Sequence, residues 1–307
     1  MKVAIVVLIW NSKAYMDVCL ASLQRLDKKD VEVEIVVVDN ASQDGSVAHI
    51  QKKYPKFTVL ENTENLGYAG GNNAGIRHAL AQNADYVWIV NPDVRVDKHA
   101  LQKLVAQSES RPRAGILGSK IYFEKGFEYH PDRYRVSQLG RVIWFAGGDI
   151  DWDNVITRHV GVNEVDIGQY NGSRQTEFIT GASLLIRNEV LRSVGSLDEK
   201  YFLYYEETDL CVRALRAGWE LVYVGESVAW HANAQATGVG SGLVDYYTTR
   251  NRLLFGIRYA PARTKLALIR ESLRMLFSGR STQRQGVLDF YLGNFGRGSY
   301  DIRHHNN

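Results

Sequence analysis

Apolar positions in the first hundred residues follow two alternating patterns. Residues 3–9, 33–38, 57–60 and 86–90 are short apolar runs rich in β-branched side chains, which suits strands buried on both faces. Between them the apolar positions recur at helical spacing. Met16, Leu20 and Leu23 share one face, with Ser12 as the expected cap. Residues 46–54 form a second helical stretch. A third over 72–84 turns Ile76, Ala79 and Leu80 inward, and a fourth, expected to be capped by Asp97, turns in Leu101, Leu104 and Val105. Doubly buried strands alternating with helices predict an α/β, doubly wound, mostly parallel sheet. The period weakens over 118–175, read as an irregular, partly β acceptor-side wall. It returns as a strand over 178–186, helices over 189–194 and 206–217, and strand pieces at 221–224 and 228–231. Beyond Gly242 the chain reads as helical.

Composition sharpens this picture at its end. With 45% hydrophobic and 23% charged residues the 307-residue chain is ordinary for a globular protein. The net charge of +3 is uneven: from Arg250 onward there are 11 Lys+Arg against 3 Asp+Glu. A basic amphipathic helix is expected there, with Leu266, Ile269, Leu273 and Leu276 on one stripe and Arg263, Lys265, Arg270 and Arg274 supplying charge. Such a helix suits either an anionic membrane surface or a homodimer partner. Two cysteines, Cys19 and Cys211, build neither a disulfide framework nor a thiolate metal site. No apolar run reaches the ~20 residues of a membrane span, and the first is too short for a secretory signal. The expected location is cytoplasmic, or peripheral on the inner face of the plasma membrane. No nucleic-acid partner is expected.

In parallel α/β sheets, ligands bind beyond the carboxyl ends of the strands. Asn11, Asp39-Asn40, the stretch 62–73 and Asn91-Pro92-Asp93 all follow predicted strands, which places them on one rim. Asp93 can hold a divalent cation against a diphosphate, although Asn-Pro-Asp is also ordinary turn chemistry. Asp39 can bind a base or ribose, or close an Asx-turn. Residues 65–73, with Gly67 and Asn72, read as a Gly- and Asn-rich loop whose glycines permit close backbone approach. It lacks the Lys-Ser/Thr of a nucleotide P-loop. Glu206 and Glu207 open a helix. Glu207 lies above the buried Leu210 and Cys211, where it could deprotonate a hydroxyl, yet acidic first turns are usually plain dipole partners. His231 is a metal ligand only if it converges with Asp93. Arg250 or Arg252 could clamp a diphosphate, or sit on a solvated helix face.

Six stretches carry a resemblance. They are Val36-Val37-Val38-Asp39-Asn40-Ala41-Ser42, Asn65-Leu66-Gly67-Tyr68-Ala69-Gly70-Gly71-Asn72, Val90-Asn91-Pro92-Asp93, Thr180-Gly181-Ala182, the run from Phe202 to Cys211, and Trp230-His231. In this order over about residues 1–235 they resemble glycosyltransferase family 2, in its rhamnosyltransferase-like branch with a GT-A fold. The resemblance implies a GT-A domain over 1–240, with a nucleotide-binding half (1–115) and an acceptor and catalytic half (116–240), followed by a basic helical extension over 241–307. It implies an inverting, metal-assisted transfer from a dTDP- or UDP-sugar, rhamnose first, to a glycan or lipid-linked acceptor in cell-surface polysaccharide synthesis. Asp39, with Asn11 and Asn40 beside it, would take the base. Asn91 and Asp93 stand at the Asp-x-Asp position, and with His231 would hold Mg2+ or Mn2+. Thr180, Gly181 and Ala182 would line the sugar pocket, and Glu207, with Glu206 as second candidate, would be the base. Asn91 replaces the first acid of Asp-x-Asp, and Glu-Glu replaces the usual Glu-Asp. No Gln-x-x-Arg-Trp follows, so one sugar per encounter is expected. A nucleotidyltransferase would want glycines after the first strand, where Trp10-Asn11-Ser12-Lys13 stands. An inactive sugar- or lipid-binding homologue would have no need of both Asp93 and Glu207.

Overall fold

The computed structural model describes residues 1–232 and 241–300. The first strands are β1 (Lys2–Ile9), β2 (Glu32–Asp39), β3 (Thr58–Glu61) and β4 (Tyr86–Val90), separated by helices α1 (Met16–Gln24), α2 (Ser46–Lys53) and α3 (Gly67–Ala81). They pair in parallel in the order β3-β2-β1-β4, as the alternating pattern predicts. Short β5 (Val94–Val96), α4 (Ala100–Ser110) and the long β6 (Ala114–Phe123) follow. The irregular stretch contains β7 (Ile143–Phe145), β8 (Gly148–Asp151), β9 (Ile156–His159) and β10 (Ser173–Gln175), so it is partly β. Then come β11 (Ser183–Arg187), α5 (Asn188–Val194), α6 (Glu206–Arg216) and β12 (Glu220–His231). The main sheet continues past β4 as β11-β6-β12-β10, with β11 antiparallel to both its neighbours and β12 parallel to β6. The result is an α/β fold whose mixed sheet is parallel throughout its first half.

Several boundaries differ from the sequence pattern for local reasons. The Gly- and Asn-rich stretch is not a loop: α3 begins at Gly67. Gly67 has φ +73°, and a Cβ there would strike the Phe202 backbone and ring, so glycine lets the first turn of α3 lie flat against residue 202. The strand expected over 178–186 starts only at Ser183, and the two strand pieces at 221–231 are one strand with a register shift between Val224 and Val228. Ser12 does not cap α1 with its side chain. Its hydroxyl instead contacts the Trp10 carbonyl at 3.2 Å, while its carbonyl accepts from the Met16 amide. Asp97 likewise binds the His99 amide (2.8 Å) one residue ahead of α4 and is not its N-cap.

The chain ends in α7 (Gly242–Tyr259), α8 (Ala262–Ser278) and α9 (Ser281–Leu292). α7 is anchored on α6: Arg258 and the Tyr259 hydroxyl reach the fully buried Asp209, at 3.0 and 2.7 Å. Among the described residues no helix is long and apolar enough to cross a membrane.

Candidate active site

Part of the polar rim foreseen at the strand ends lines a cleft of ≈ 460 Å³. β1 sends Trp10 and Ser12 to its wall, β2 sends Asn40, and β4 sends Asn91, Pro92 and Asp93. Because β11 runs antiparallel to β4, its leading residues Thr180, Gly181 and Ala182 reach the same rim, tied there by the Asn91 amide donating to the Ala182 carbonyl (3.2 Å). The start of α6 adds Glu206 and Glu207, and α7 adds Leu243 and Val244.

Asp93 and His231 are 138 residues apart in sequence and adjacent in space. Strand pairing causes this: β12 is antiparallel to β5 with His231 opposite Val94, and the Ala232 amide donates to the Asp93 carbonyl (3.0 Å). His231 Nε2 lies 3.1 Å from Asp93 Oδ1, and both side chains are over nine-tenths buried. That contact is a hydrogen bond as it stands, the buried Nδ1 of His231 has no partner, and a carboxylate beside an imidazole is a donor pair that suits a divalent ion. Asn91 lines the same wall. Among the described residues no three His, Cys, Asp or Glu side chains cluster for a metal. Asp93, His231 and Asn91 are the residues that would hold a divalent cation here. A donor set of that kind suits a cation bound through its substrate.

Glu206 is buried and Glu207 half-buried, and each has a shielded Oε2 without a partner. Burial raises both carboxyls above the usual range, Glu206 strongly, with the neighbouring Glu207 charge adding to its shift. The amides of Gly181 and Thr208 favour ionised Glu207. Of this coupled pair, Glu207 is thus the better carboxylate and Glu206 the better neutral acid. Asp209, one turn on from Glu206, is fully buried in an ion pair with Arg213 (2.6 Å).

A group whose folded pKa is raised stabilises the fold below its unfolded pKa and loses that contribution as pH rises through the folded value. Glu206→Gln removes this loss. Its melting temperature should exceed the wild type's by a few degrees near pH 7.5, at roughly 2–4 °C per kcal/mol. The difference should vanish near pH 4, and an equal gain at both pH values would show that Glu206 is not held protonated by burial.

Sequence reasoning passed over Tyr68, Trp144 and His159. Tyr68 sits among the three acids: its phenol is pushed well up by burial and then by Glu207, Glu206 and Asp93, and it donates to the Gly181 carbonyl (2.9 Å). A Cβ on Gly181 would collide with that hydroxyl, so only glycine fits between β11 and Tyr68. Trp144 packs edge-on between His159 and His231. His159 is pushed down to about 4 by burial. It is therefore neutral, with Nδ1 donating to the Trp144 carbonyl (3.0 Å) and the other nitrogen left as an acceptor in a cleft-lining ring. No periodicity pointed to these residues. The tyrosine in a helix start and the aromatic 143–145 run were the available signals.

Other expected residues are occupied elsewhere. The Asp39 carboxylate accepts from the Ser42 amide (3.0 Å), which is an Asx-type turn, and Asn11 Oδ1 accepts from the Gln43 amide (2.8 Å). Neither lines the cleft, although Trp10, Ser12 and Asn40 beside them do. Asn40 Nδ2 donates to the Gly67 carbonyl (2.9 Å), and Asn72, in α3, donates to the Tyr68 carbonyl (3.0 Å). Arg250 departs furthest from expectation. It is fully buried, away from the cleft wall, and its donors face the carbonyls of Lys200, Tyr201 and Asn294. Arg252 pairs with Glu271. Neither arginine is free for a diphosphate.

A family model for glycosyl transferase family 2 matches residues 4–191. The chain belongs to glycosyltransferase family 2. It is 29% identical over 242 residues to an N-acetylglucosaminyl-diphospho-decaprenol L-rhamnosyltransferase of Mycobacterium tuberculosis, covering 76% of this chain and 77% of that protein. It is 24% identical over 229 residues to rhamnosyltransferase WbbL of Escherichia coli, covering 72% and 80%. Solved glycosyltransferases share the fold at 16% identity. They include the mannosyltransferase PcManGT of Pyrobaculum calidifontis in complex with GDP-Man and Mn2+ (TM-score 0.54, 97% of this chain and 76% of that one). GalNAc-T7 with UDP, GalNAc and Mn2+ gives a TM-score of 0.66 over 95% of this chain and 54% of that one. This family-2 chain is a glycosyltransferase, and its cleft is the place to look for the reaction.

Proposed function

We propose that the enzyme moves a hexose, rhamnose first, from a pyrimidine nucleotide-sugar (dTDP- or UDP-) to a hydroxyl of a glycan or lipid-linked acceptor in cell-surface polysaccharide synthesis, with inversion. The observation that carries this reading is the placement of Glu207, whose buried Oε2 has no partner, in the same cleft as the Asp93–His231 pair. Asp93, His231 and Asn91 would hold a divalent cation, whose chemistry is to neutralise the diphosphate of the leaving group. The base would lie along the edge formed by Trp10, Ser12 and Asn40, with Asn11 and Asp39 behind it. Gly67 and Thr180 to Ala182 would border the sugar. Glu207 would take the acceptor's proton as its oxygen attacks the anomeric carbon and the nucleoside diphosphate departs. Glu206, kept neutral, adds no second negative charge beside the leaving diphosphate. The names of the mycobacterial and Escherichia coli relatives favour rhamnose and a polyprenyl-linked acceptor. The test is nucleoside diphosphate release from dTDP-, UDP- and GDP-sugars with Mn2+ or Mg2+. Release from a pyrimidine donor on adding acceptor is expected; release from none, with lipid-linked acceptors present, would remove the proposal.

A lipid-linked acceptor requires a membrane surface, and α8 offers a contact for one. Its buried positions are Thr264, Leu268 and Ser272, whereas Leu266, Ile269, Leu273 and Phe277 are exposed. Arg263, Arg270 and Arg274 flank that apolar stripe without a carboxylate partner among the described residues. A second copy docked face to face would oppose like charges, so an anionic bilayer is the better occupant. Co-sedimentation with phosphatidylglycerol vesicles should be lost in Leu273→Glu/Phe277→Glu. Equal binding by that variant would place the contact elsewhere.

A further inference from the structure

The backbone leading into Glu206 and Glu207 has an unusual conformation. Phe202, Tyr204 and Tyr205 have φ values of +64°, +69° and +75°. This left-handed region is unfavourable for bulky side chains, and its occupants persist only where surrounding structure holds them.

Here two buried side chains of α7 do the holding. Asn251 Nδ2 lies 2.8 Å from each of the carbonyls of Tyr201, Leu203 and Tyr204, so its two hydrogens are shared among three acceptors. Arg250 Nη2 donates to the Tyr201 carbonyl (2.9 Å) and the Lys200 carbonyl (3.3 Å). Arg250 Nε donates to Asn251 Oδ1 (3.0 Å), which turns the amide nitrogen toward the loop. Both side chains have no exposed surface. From the other side the Ala69 amide donates to the Phe202 carbonyl (3.1 Å), and the Phe202 ring stacks on Tyr247 of α7. Residues 201–204 are thereby gripped between α3 and α7, and after Tyr205 come the two acids at the start of α6.

We infer that Asn251, oriented by Arg250, is a positioning residue for Glu207, an inference that rests on Glu207 being the base. The pair acts through the backbone. It fixes the left-handed loop, the loop fixes where α6 begins, and that sets the direction of the Glu207 carboxylate. The α7 helix is then part of the catalytic apparatus. It also accounts for the burial of Arg250 away from any phosphate: a guanidinium fork matches a cluster of carbonyl oxygens as well as it matches an oxyanion.

The test uses the full chain with four variants. Asn251→Ala should lower kcat by about 10–100-fold per folded molecule, leave nucleotide-sugar affinity within about twofold, and move the acid limb of the pH profile, because the Glu207 environment changes. Introduced into Glu207→Gln, the same change should cost little more, since residues acting as one unit are not additive. Should Asn251→Ala not fold, Arg250→Lys carries the test, as it keeps the buried charge and loses the Nε contact that orients Asn251. Wild-type kcat and pH profile in the folded variant, or a full additive loss in the double variant, would overturn the positioning role. An active Glu207→Gln would instead overturn the base on which it rests.

Discussion

Glu207→Gln should abolish sugar transfer while leaving nucleotide-sugar binding near the wild-type level. The substitution keeps the shape of a group that already has one unpartnered oxygen, so the pocket has no reason to rearrange. What it removes is the proton acceptor, and a positioned general base contributes about 10²–10⁴-fold. The loss should appear in kcat and kcat/KM together, as expected for an interaction realised in the transition state. The wild-type pH profile should carry the same signature. Burial holds the Glu207 carboxyl above the ordinary glutamate range. Activity therefore requires a pH above that raised value and should fall, on acidification, earlier than an exposed glutamate would cause. Stopped-assay kinetics from pH 5 to 8, paired with calorimetric donor titration, check both points. Unchanged turnover in Glu207→Gln would remove the residue from its role.

Asp93→Ala should be nearly as damaging, for a different reason. Asp93 would be the one anionic protein ligand, since Asn91 stands where a second acid would have shared the charge. Its loss also leaves the buried His231 Nε2 without its 3.1 Å neighbour. A fall in kcat/KM of at least about 10²-fold is expected, together with loss of Mn2+ binding followed by electron paramagnetic resonance. Chelation of the wild type should reduce transfer to the same level, and added Mn2+ or Mg2+ should restore it. Full activity in chelator would contradict the cation's role.

The alternating apolar runs were a sound guide to the sheet because strands buried on both faces have little freedom in composition: β1, β2 and β4 fall where Val3, Val33 and Tyr86 open their runs. The rim followed, since strand ends in a parallel sheet must converge. The start of α3 was hidden because glycine runs suggest loops. The spacing of Gly67, Gly71 and Gly75 at every fourth position was a helical signal, and a Cβ at Gly71 or Gly75 would press on Leu8 or Val6 beneath. Arg250 was misplaced for a chemical reason. Phosphate oxygens and peptide carbonyls attract the same guanidinium fork, and only burial against the Tyr246 and Tyr247 rings separates the two cases. Trp144 and His159 lay in a stretch without period, held by pairing of β7 with the distant β6 and by the short β8–β9 hairpin.

The anomeric configuration of the product tests the central claim most directly, because one base and direct displacement allow a single outcome. Nuclear magnetic resonance of the glycoside formed from a donor of known configuration should show inversion at the anomeric carbon. Retention would require an enzyme nucleophile and a second displacement, and would contradict the account of Glu207.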